Sequence, residues 1–232
     1  AMLGDLPQVE ARGPQIVDIG ERGGLPWRYL GHLYLGLAAH RRGNAERAEA
    51  QLRKAVELEP TSAIAGQCAG ALARHLAYYG RADEVRELFE SARSKLPSLD
   101  RVNGIGSWSC LLNFVEAFYL CGLNEEAAAL SPLVEGVLEL DKRWVSYDGR
   151  LAMTRAGLVA VTARRWEEAE RHFGVAREVA EQMGNRVELA DLCRLHARML
   201  LDRGGTGDHE RAAEMLQEAL SAYRTFGMPA YA

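Results

Sequence analysis

Two glycine-rich stretches have the residue types that hold phosphates or dinucleotides in other proteins. RGGTGDHE (203–210) has the closely spaced glycines of a phosphate loop, but it lacks the Gly-Lys-Ser/Thr ending and follows a predicted helix instead of a strand. NGIGSW (103–108) is half of a dinucleotide-binding pattern without a strand–helix–strand unit around it. Both stretches are therefore interpreted as loops between helices.

The residues that could bind a metal or act as nucleophiles are spread along the chain. The histidines are His32, His40, His75, His172, His196 and His209, and the cysteines are Cys68, Cys110, Cys121 and Cys193. They contain no H-E-x-x-H pattern, no zinc-finger spacing and no C-x-x-C pair, and the chain has no Gly-x-Ser-x-Gly elbow. We expect no metal, no cofactor and no catalysis, and we interpret the cysteines as buried, reduced thiols.

Composition and charge narrow the classes of partner. The chain has 232 residues, of which 48% are apolar and 26% charged, with a net charge of −4. Because nucleic acids and anionic membranes are bound by concentrated basic surfaces, we expect neither as a direct partner. The apolar runs are shorter than a membrane span, and the first residues lack the order of a secretory signal. A cytoplasmic location is expected.

One spacing of small and apolar residues is written repeatedly along the chain. Its first copy is Gly43, Ala48, Leu52, Ala55 and Pro60, and its second is Gly80, Val85, Phe89, Ala92 and Pro97. The three middle residues of each copy lie on one face of a helix, because residues three and four apart are neighbours there. The glycine permits a tight turn before the helix, and the proline ends it.

Further copies lie in 121–140, 163–184 and 207–227, and each copy is preceded by another helical stretch. The sequence therefore predicts five helical hairpins, at about 27–60, 66–97, 108–140, 150–184 and 188–227. Five hairpins in a row predict an all-α, right-handed α-solenoid over residues 25–232. Residues 1–24 do not follow this spacing, and we expect an irregular N-terminal arm there.

The stretch LGLAAHRRGNAERAEAQLRKAVELEP (35–60) resembles a tetratricopeptide repeat (TPR). The residues that carry the resemblance are Leu35, Gly36, Ala48, Leu52, Ala55 and Pro60, and in a second copy Gly157, Trp166, Ala169, Phe173 and Ala176. The small residues at these positions let two helices approach closely. The resemblance covers about residues 25–227. It implies a TPR-like solenoid, a fold that serves many binding roles.

The last third of the chain has a narrower resemblance. RRWEEAERHF, the loop RGGTGDHERA and the closing FGMP are similar to the C-terminal TPR-like regions of large bacterial signalling proteins. Those proteins join such regions to nucleotide-cyclase domains, signalling ATPase modules or helix-turn-helix regulators. The resemblance implies a regulatory region in a signalling protein.

The first helix of each hairpin is expected to line the concave side of the solenoid. The residues predicted to form a partner-binding groove there are Arg74, Asn113, Glu116, Tyr119, Arg155, Arg194 and Arg198. Arginines in a concave site suit carboxylates or phosphates, and the alternative is that they pair with neighbouring Glu and Asp residues.

Two functions follow from this groove. The first is a non-catalytic interaction scaffold that binds a peptide or protein segment in the groove. The second is a small-ligand sensor in which the groove arginines bind an anionic ligand. An open channel would favour the peptide, and a closed cavity with convergent arginines would favour the small ligand.

Overall fold

The computed structural model describes residues 5–23, 27–141, 143–146 and 148–231, and this part of the chain is all-helical, as predicted. The α-helices are α1 (Leu6–Gly23), α2 (Arg28–Arg41), α3 (Ala45–Leu58), α4 (Gln67–Tyr78), α5 (Ala82–Ala92), α6 (Ile105–Cys121), α7 (Asn124–Ala129), α8 (Ser131–Leu140), α9 (Ala152–Thr162), α10 (Trp166–Gln182), α11 (Arg186–Arg203) and α12 (Asp208–Phe226). Two 3₁₀ turns, Arg93–Lys95 and Pro229–Tyr231, complete the helical elements. One isolated β-bridge joins Val145 and Leu151.

The repeated spacing forms the buried face of a helix, as α3 illustrates. Ala48, Leu52 and Ala55 are fully buried. Gly43 has φ +79°, in the left-handed region that glycine tolerates. The side chain of Asn44 then accepts a hydrogen bond of 3.1 Å from a backbone N–H of the first turn, and this caps the helix.

The third copy of the spacing is divided between two short helices. Pro132 lies in the first turn of α8 and has no backbone N–H, so it cannot continue the hydrogen bonds of α7. The predicted second helix of this hairpin is therefore α7 followed by α8. Ala127 and Val134 nevertheless lie buried on the same core, so the packing face is kept across the break.

The N-terminal arm was expected to be irregular, and the structure corrects this expectation. Residues 6–23 form α1, which packs along α2. A Cβ on Gly13 would lie 2.6 Å from the Leu35 side chain, and a Cβ on Gly31 would lie 2.5 Å from Val17. Gly13 of α1 and Gly31 of α2 thus allow the two helices to approach closely.

The helices from α2 onward form two rows. An inner row consists of α2, α4, α6, α9 and α11, and each of these packs on the next along the row. An outer row consists of α3, α5, α7 with α8, α10 and α12, and these helices bury one face and expose the other. The inner-row helices are buried over most of their length, so the polar side chains they carry lie inside the molecule.

The two ends of the inner row are joined. The Arg42 guanidinium, just after α2, donates to the Gly227 carbonyl at 2.9 Å and to both carboxylate oxygens of Glu10 at 3.1 Å. A second hydrophobic cluster contains residues of α1, α2, α11 and α12, among them Leu6, Ala38 and Phe226. The inner row therefore curves until its ends share a core, and it encloses an interior.

None of the described helices combines the length and the apolar character needed to cross a bilayer.

Candidate functional site: a buried ion network

A network of charged side chains fills the space between the inner-row helices. Its members are Arg74, Glu116, Asp148, Arg150, Arg155, Glu188 and Asp191, and we call this set the buried ion network. Each of these residues is at most 7% exposed. Four inner-row helices and the connection between α8 and α9 each supply at least one member, so the network depends on the whole fold.

Arg155 of α9 stands at the centre of the network. Its guanidinium donates to Glu188 Oε1 of α11 at 2.5 Å and to Glu116 Oε2 of α6. One arginine therefore links three helices of the inner row. Hydrogen bonds of this kind, with charge on both partners, are stronger than neutral ones.

Arg150 enters the network from the connection before α9. Its Nη1 donates to Glu188 Oε2 at 3.2 Å and to Asp191. The connection is shaped by the Val145–Leu151 bridge and by Ser146, whose hydroxyl oxygen accepts the Arg150 backbone N–H at 2.9 Å. The short connection before α9 thus brings the Arg150 side chain to the carboxylates of α11.

Arg74 of α4 is held more loosely. Its Nη1 lies 2.9 Å from Asp148 Oδ2 and 3.9 Å from Glu116 Oε2. Neither contact has the alignment of a hydrogen bond, because Arg74 Nη1 and Asp148 Oδ2 both remain without a hydrogen-bond partner. The attraction at Arg74 is therefore between charges, and its nitrogens keep unused donor capacity.

The network keeps Glu116 and Arg150 ionised. Burial alone would raise the pKa of Glu116, but the guanidiniums of Arg155, Arg150 and Arg74 outweigh burial and hold that pKa well below its usual range. Burial would likewise lower the pKa of Arg150, and the carboxylates around it, Asp191 first, raise it instead. The charges of Glu116 and Arg150 are thus sustained by their neighbours.

Two further arginines, Arg41 and Arg194, lie beside the network. Arg41, Arg74, Arg150 and Arg155 are buried together with the four carboxylates of the network. Arg194 of α11, half-buried at the edge of the interior, adds a fifth positive charge.

Tyrosines hold Arg194 beside the network. Its guanidinium donates to Tyr78 Oη at 2.5 Å and to Tyr223 Oη at 3.4 Å, and it lies 5.9 Å from the centre of the Tyr231 ring. Tyr223 Oη in turn donates to Asp191 Oδ1 at 2.6 Å. The C-terminal turn therefore brings Tyr231 into the same polar region.

Many polar atoms of the interior lack a hydrogen-bond partner. Within the described residues, fifteen buried side-chain nitrogen and oxygen atoms have none. They belong to His40, Gln67, Arg74, His75, Ser109, Asn113, Glu116, Tyr119, Asp148, Arg150, Thr154, Arg155 and Tyr231. All of these residues lie on inner-row helices, in the α8–α9 connection or in the C-terminal turn. Since buried polar groups are normally satisfied, these atoms are the candidates for contact with water or a ligand.

The residues predicted to form an open groove lie mostly in the interior. Arg74, Asn113, Glu116, Tyr119 and Arg155 are buried, Arg194 is half-buried and Arg198 is exposed. The structure joins Arg74, Glu116 and Arg155 through ion pairs, as the alternative interpretation of the groove arginines anticipated. The predicted groove is enclosed in the structure, because the inner row curves onto itself. The charged side chains of its helices then pair with each other across the enclosed space.

Arg198 marks the edge of this interior. Its guanidinium lies 4.9 Å from the centre of the Tyr119 ring, whose hydroxyl is buried and without a partner. Burial raises the pKa of Tyr119 to about 12, despite the nearby Arg198 and Arg194, so the phenol stays protonated. Tyr119 can therefore donate a hydrogen bond into the interior.

Four members of the network are not among the predicted groove residues: Asp148, Arg150, Glu188 and Asp191. Asp148 and Arg150 lie in a connection that was treated as part of a hairpin boundary. Glu188 stands three residues after the helix-capping Asn185, which is the position of a capping-box glutamate, but its carboxylate pairs with arginines instead. The side chain of Asn185 also donates to the Gly149 carbonyl at 2.7 Å, which ties the connection to α11.

The cysteines are poor candidates for nucleophiles. Burial raises the pKa of Cys68 and Cys110 above the usual range and that of Cys193 to about 11. A thiol must lose its proton to attack, so these groups are inert near neutral pH. No group of three or more His, Cys, Asp or Glu side chains that could hold a metal ion occurs in the described ranges.

No protein-family model matches this chain. A search of curated proteins found no significant match either.

Proposed function

We propose that this chain is a non-catalytic regulatory domain that binds a small anionic ligand in its interior. The observation that carries the proposal is the set of buried guanidinium nitrogens of Arg74, Arg150 and Arg155 that have no hydrogen-bond partner. Leaving such a donor unpaired costs about 1–3 kcal/mol or more, so a ligand that pairs with several of them is strongly favoured.

The architecture in this proposal is a right-handed TPR-like α-solenoid of five hairpins. The two rows of helices support it, and so does the repeated buried face, Ala48 with Leu52 in α3 and Ala169 with Phe173 in α10. Such a solenoid changes its curvature when contacts between neighbouring pairs change. Ligand binding to residues from several inner-row helices would therefore alter the relative orientation of neighbouring helix pairs.

A peptide in the concave groove is supported less well. A peptide would need access to Arg74, Glu116 and Arg155, and all three are enclosed by the inner row. A small ligand needs only a transient opening near Arg198. A cytoplasmic signalling protein of bacteria remains the proposed context, on the strength of the resemblance in the last third of the sequence.

The test is a thermal-shift experiment with inorganic phosphate, acetate, gluconate and glucarate at constant ionic strength. A ligand present at about 100 times its Kd adds about 2.7 kcal/mol of stability. For a domain of this size the melting temperature should rise by about 5–10 °C. If none of these anions raises it, the proposed function is wrong.

A pair of arginine variants separates the interior from the surface. Arg198→Glu puts a negative charge at the edge of the interior and should weaken anion binding, because like charges repel the approaching ligand. Arg165→Glu makes the same change beside α10 on the outer row, where Arg165 is exposed, and should leave binding unaltered. Equal losses in both variants would mean that the anion binds elsewhere.

A further inference from the structure

We infer that an anion enters the buried ion network by displacing the Asp148 carboxylate from between Arg74 and Arg150, so that Asp148 is a competitor of the ligand built into the chain. This inference rests on the proposed function and names the residue that regulates the same site.

Asp148 is held differently from the other carboxylates of the network. Each of the other three accepts a hydrogen bond from an arginine guanidinium. Asp148 Oδ2 lies 2.9 Å from Arg74 Nη1, but this contact is not aligned and makes no hydrogen bond. The hydrogen bond that Asp148 does accept, at Oδ1, comes from the Ser146 hydroxyl. Because hydrogen bonds between charged partners are the strong ones, Asp148 is the carboxylate that leaves the arginines most easily.

The Asp148 carboxylate lies where an anion would bind. Its Oδ2 is 2.9 Å from Arg74 Nη1 and 3.8 Å from Arg150 Nε. Arg150 Nε and Nη2 form one edge of the guanidinium, and neither has a hydrogen-bond partner. Two parallel N–H groups of this kind match two oxygens of a carboxylate. An anion that binds this edge and also reaches Arg74 therefore takes the place of Asp148 Oδ2.

The exchange leaves the charge among the buried groups unchanged. One carboxylate leaves and one singly charged anion enters, so no arginine loses its counter-charge. Asp148 is also the member of the network with most access to solvent, at 7% exposure against at most 1% for the others. Its carboxylate can therefore reach water at a lower cost than any other in the network.

The first test removes the competing charge. Acetate carries the same group as the Asp148 side chain, and its affinity is measured by NMR titration at constant ionic strength, with acetamide as the neutral probe. A site that is open for only a fraction of the time loses affinity by that fraction. If the displaced state is populated at about 10% or less, Asp148→Asn should bind acetate at least about tenfold more tightly than the wild type. Asp141→Asn, the same change at a side chain that is 49% exposed, should leave the affinity unaltered.

A second variant separates displacement from a general gain of positive charge. Ser146→Ala removes the hydroxyl that donates to Asp148 and leaves every charge in place. Displacement then becomes easier, so acetate should bind between about twofold and tenfold more tightly. The Arg150 backbone N–H also loses its acceptor in this variant, and disturbance of the connection would weaken binding instead.

The wild-type chain gives a third readout, which does not depend on the folding of a variant. A ligand that stabilises the fold slows hydrogen exchange around its site. Displacement of Asp148 loosens the connection between α8 and α9. At saturating acetate we expect this connection to exchange faster while α4 and α9 exchange more slowly.

The outcomes separate the inference from the proposed function. Equal or weaker acetate binding in Asp148→Asn, or slower exchange in the connection, would overturn displacement and keep an anion-binding domain. A gain in Asp148→Asn without a gain in Ser146→Ala would also overturn displacement, since charge alone would explain it. Binding of acetate to neither the wild type nor Asp148→Asn would overturn the inference, and the thermal-shift result with the other anions would then decide the proposed function.

Discussion

Ion pairs of arginine with Glu and Asp occur both on the outer row and in the interior of this molecule. On the outer row, Arg81 and Arg53 bridge Glu49 of α3 and Glu84 of α5, with side chains between 24% and 50% exposed. In the interior, Arg155 bridges Glu116 and Glu188 without any exposure. The residue types and the bridging of neighbouring helices are the same, and only the access of water differs.

Water changes what each set contributes. The outer pairs are screened, and either partner can be solvated when the other is removed, so each pair contributes little. A buried charge without its partner has no such solvent, and its desolvation is not offset. The interior network is therefore expected to specify the fold, and the outer ion pairs are expected to be replaceable.

The largest predicted effect comes from breaking the interior network. Arg155→Met removes the arginine that links α6, α9 and α11 and leaves Glu116 and Glu188 with one partner fewer. We expect the free energy of unfolding to fall by about 3–5 kcal/mol, measured by urea denaturation. A loss below about 1 kcal/mol would show that the interior is solvated like the outer row.

A substitution in the apolar core, with an expected loss of similar magnitude, provides the reference for the Arg155→Met measurement. Phe173 of α10 is buried against Gly157 of α9, where an added Cβ would lie 2.3 Å from the ring. Phe173→Ala should lower the free energy of unfolding by about 3–5 kcal/mol, through lost contacts and a cavity. A value below about 1 kcal/mol in the same denaturation experiment would mean that α10 can shift to fill the space.

The pH dependence of the free energy of unfolding also distinguishes buried histidines from exposed ones. Burial, followed by Arg74, lowers the pKa of His40 well below its usual value, and burial lowers that of His75 to about 4. Below pH 6.5 the unfolded chain binds protons that the folded chain does not, so stability must fall as pH falls. The expected slope between pH 6.5 and about 4 is about 1.4 kcal/mol per pH unit for each histidine.

Urea denaturation at pH 7, 6 and 5 measures this dependence. The carboxylates with lowered pKa lose their contribution only below about pH 4.5, so they do not mask the histidines. His172 and His196 also have lowered pKa values and act in the same direction. His75→Asn should reduce the slope of the free energy of unfolding against pH. Equal stability at all three pH values would contradict the burial of His40 and His75.

The smallest effect is predicted on the outer row. Arg53→Ala removes a half-exposed arginine that pairs with Glu49 and Glu84. The free energy of unfolding should change by less than about 0.5 kcal/mol in denaturant melts. A loss close to that of Arg155→Met would remove the distinction between the two sets of ion pairs.

The sequence by itself determined that the described part of the chain is helical and where most of its helices lie. Leu52 and Phe173 stand at matching places in a spacing of three and four residues, and that spacing is a local property of an amphipathic helix. The turns were equally local, since Gly43 and Asn44 end one helix and begin the next within a few residues. Two local features were nevertheless misjudged: Pro132 divides the third outer helix, and the glycines near Gly13 belong to a helix.

Only the tertiary structure decided the form of the candidate site. Arg155 and Glu116 were both predicted to face the concave side, but whether that side is open depends on the curvature of the inner row. The curvature is the sum of small rotations between successive helix pairs, so it cannot be predicted from the sequence of any one pair. Asp148 and Arg150 were placed by a loop that the helical spacing does not describe. Their contacts with residues about 40 to 75 positions away exist only because the fold brings distant parts of the chain together.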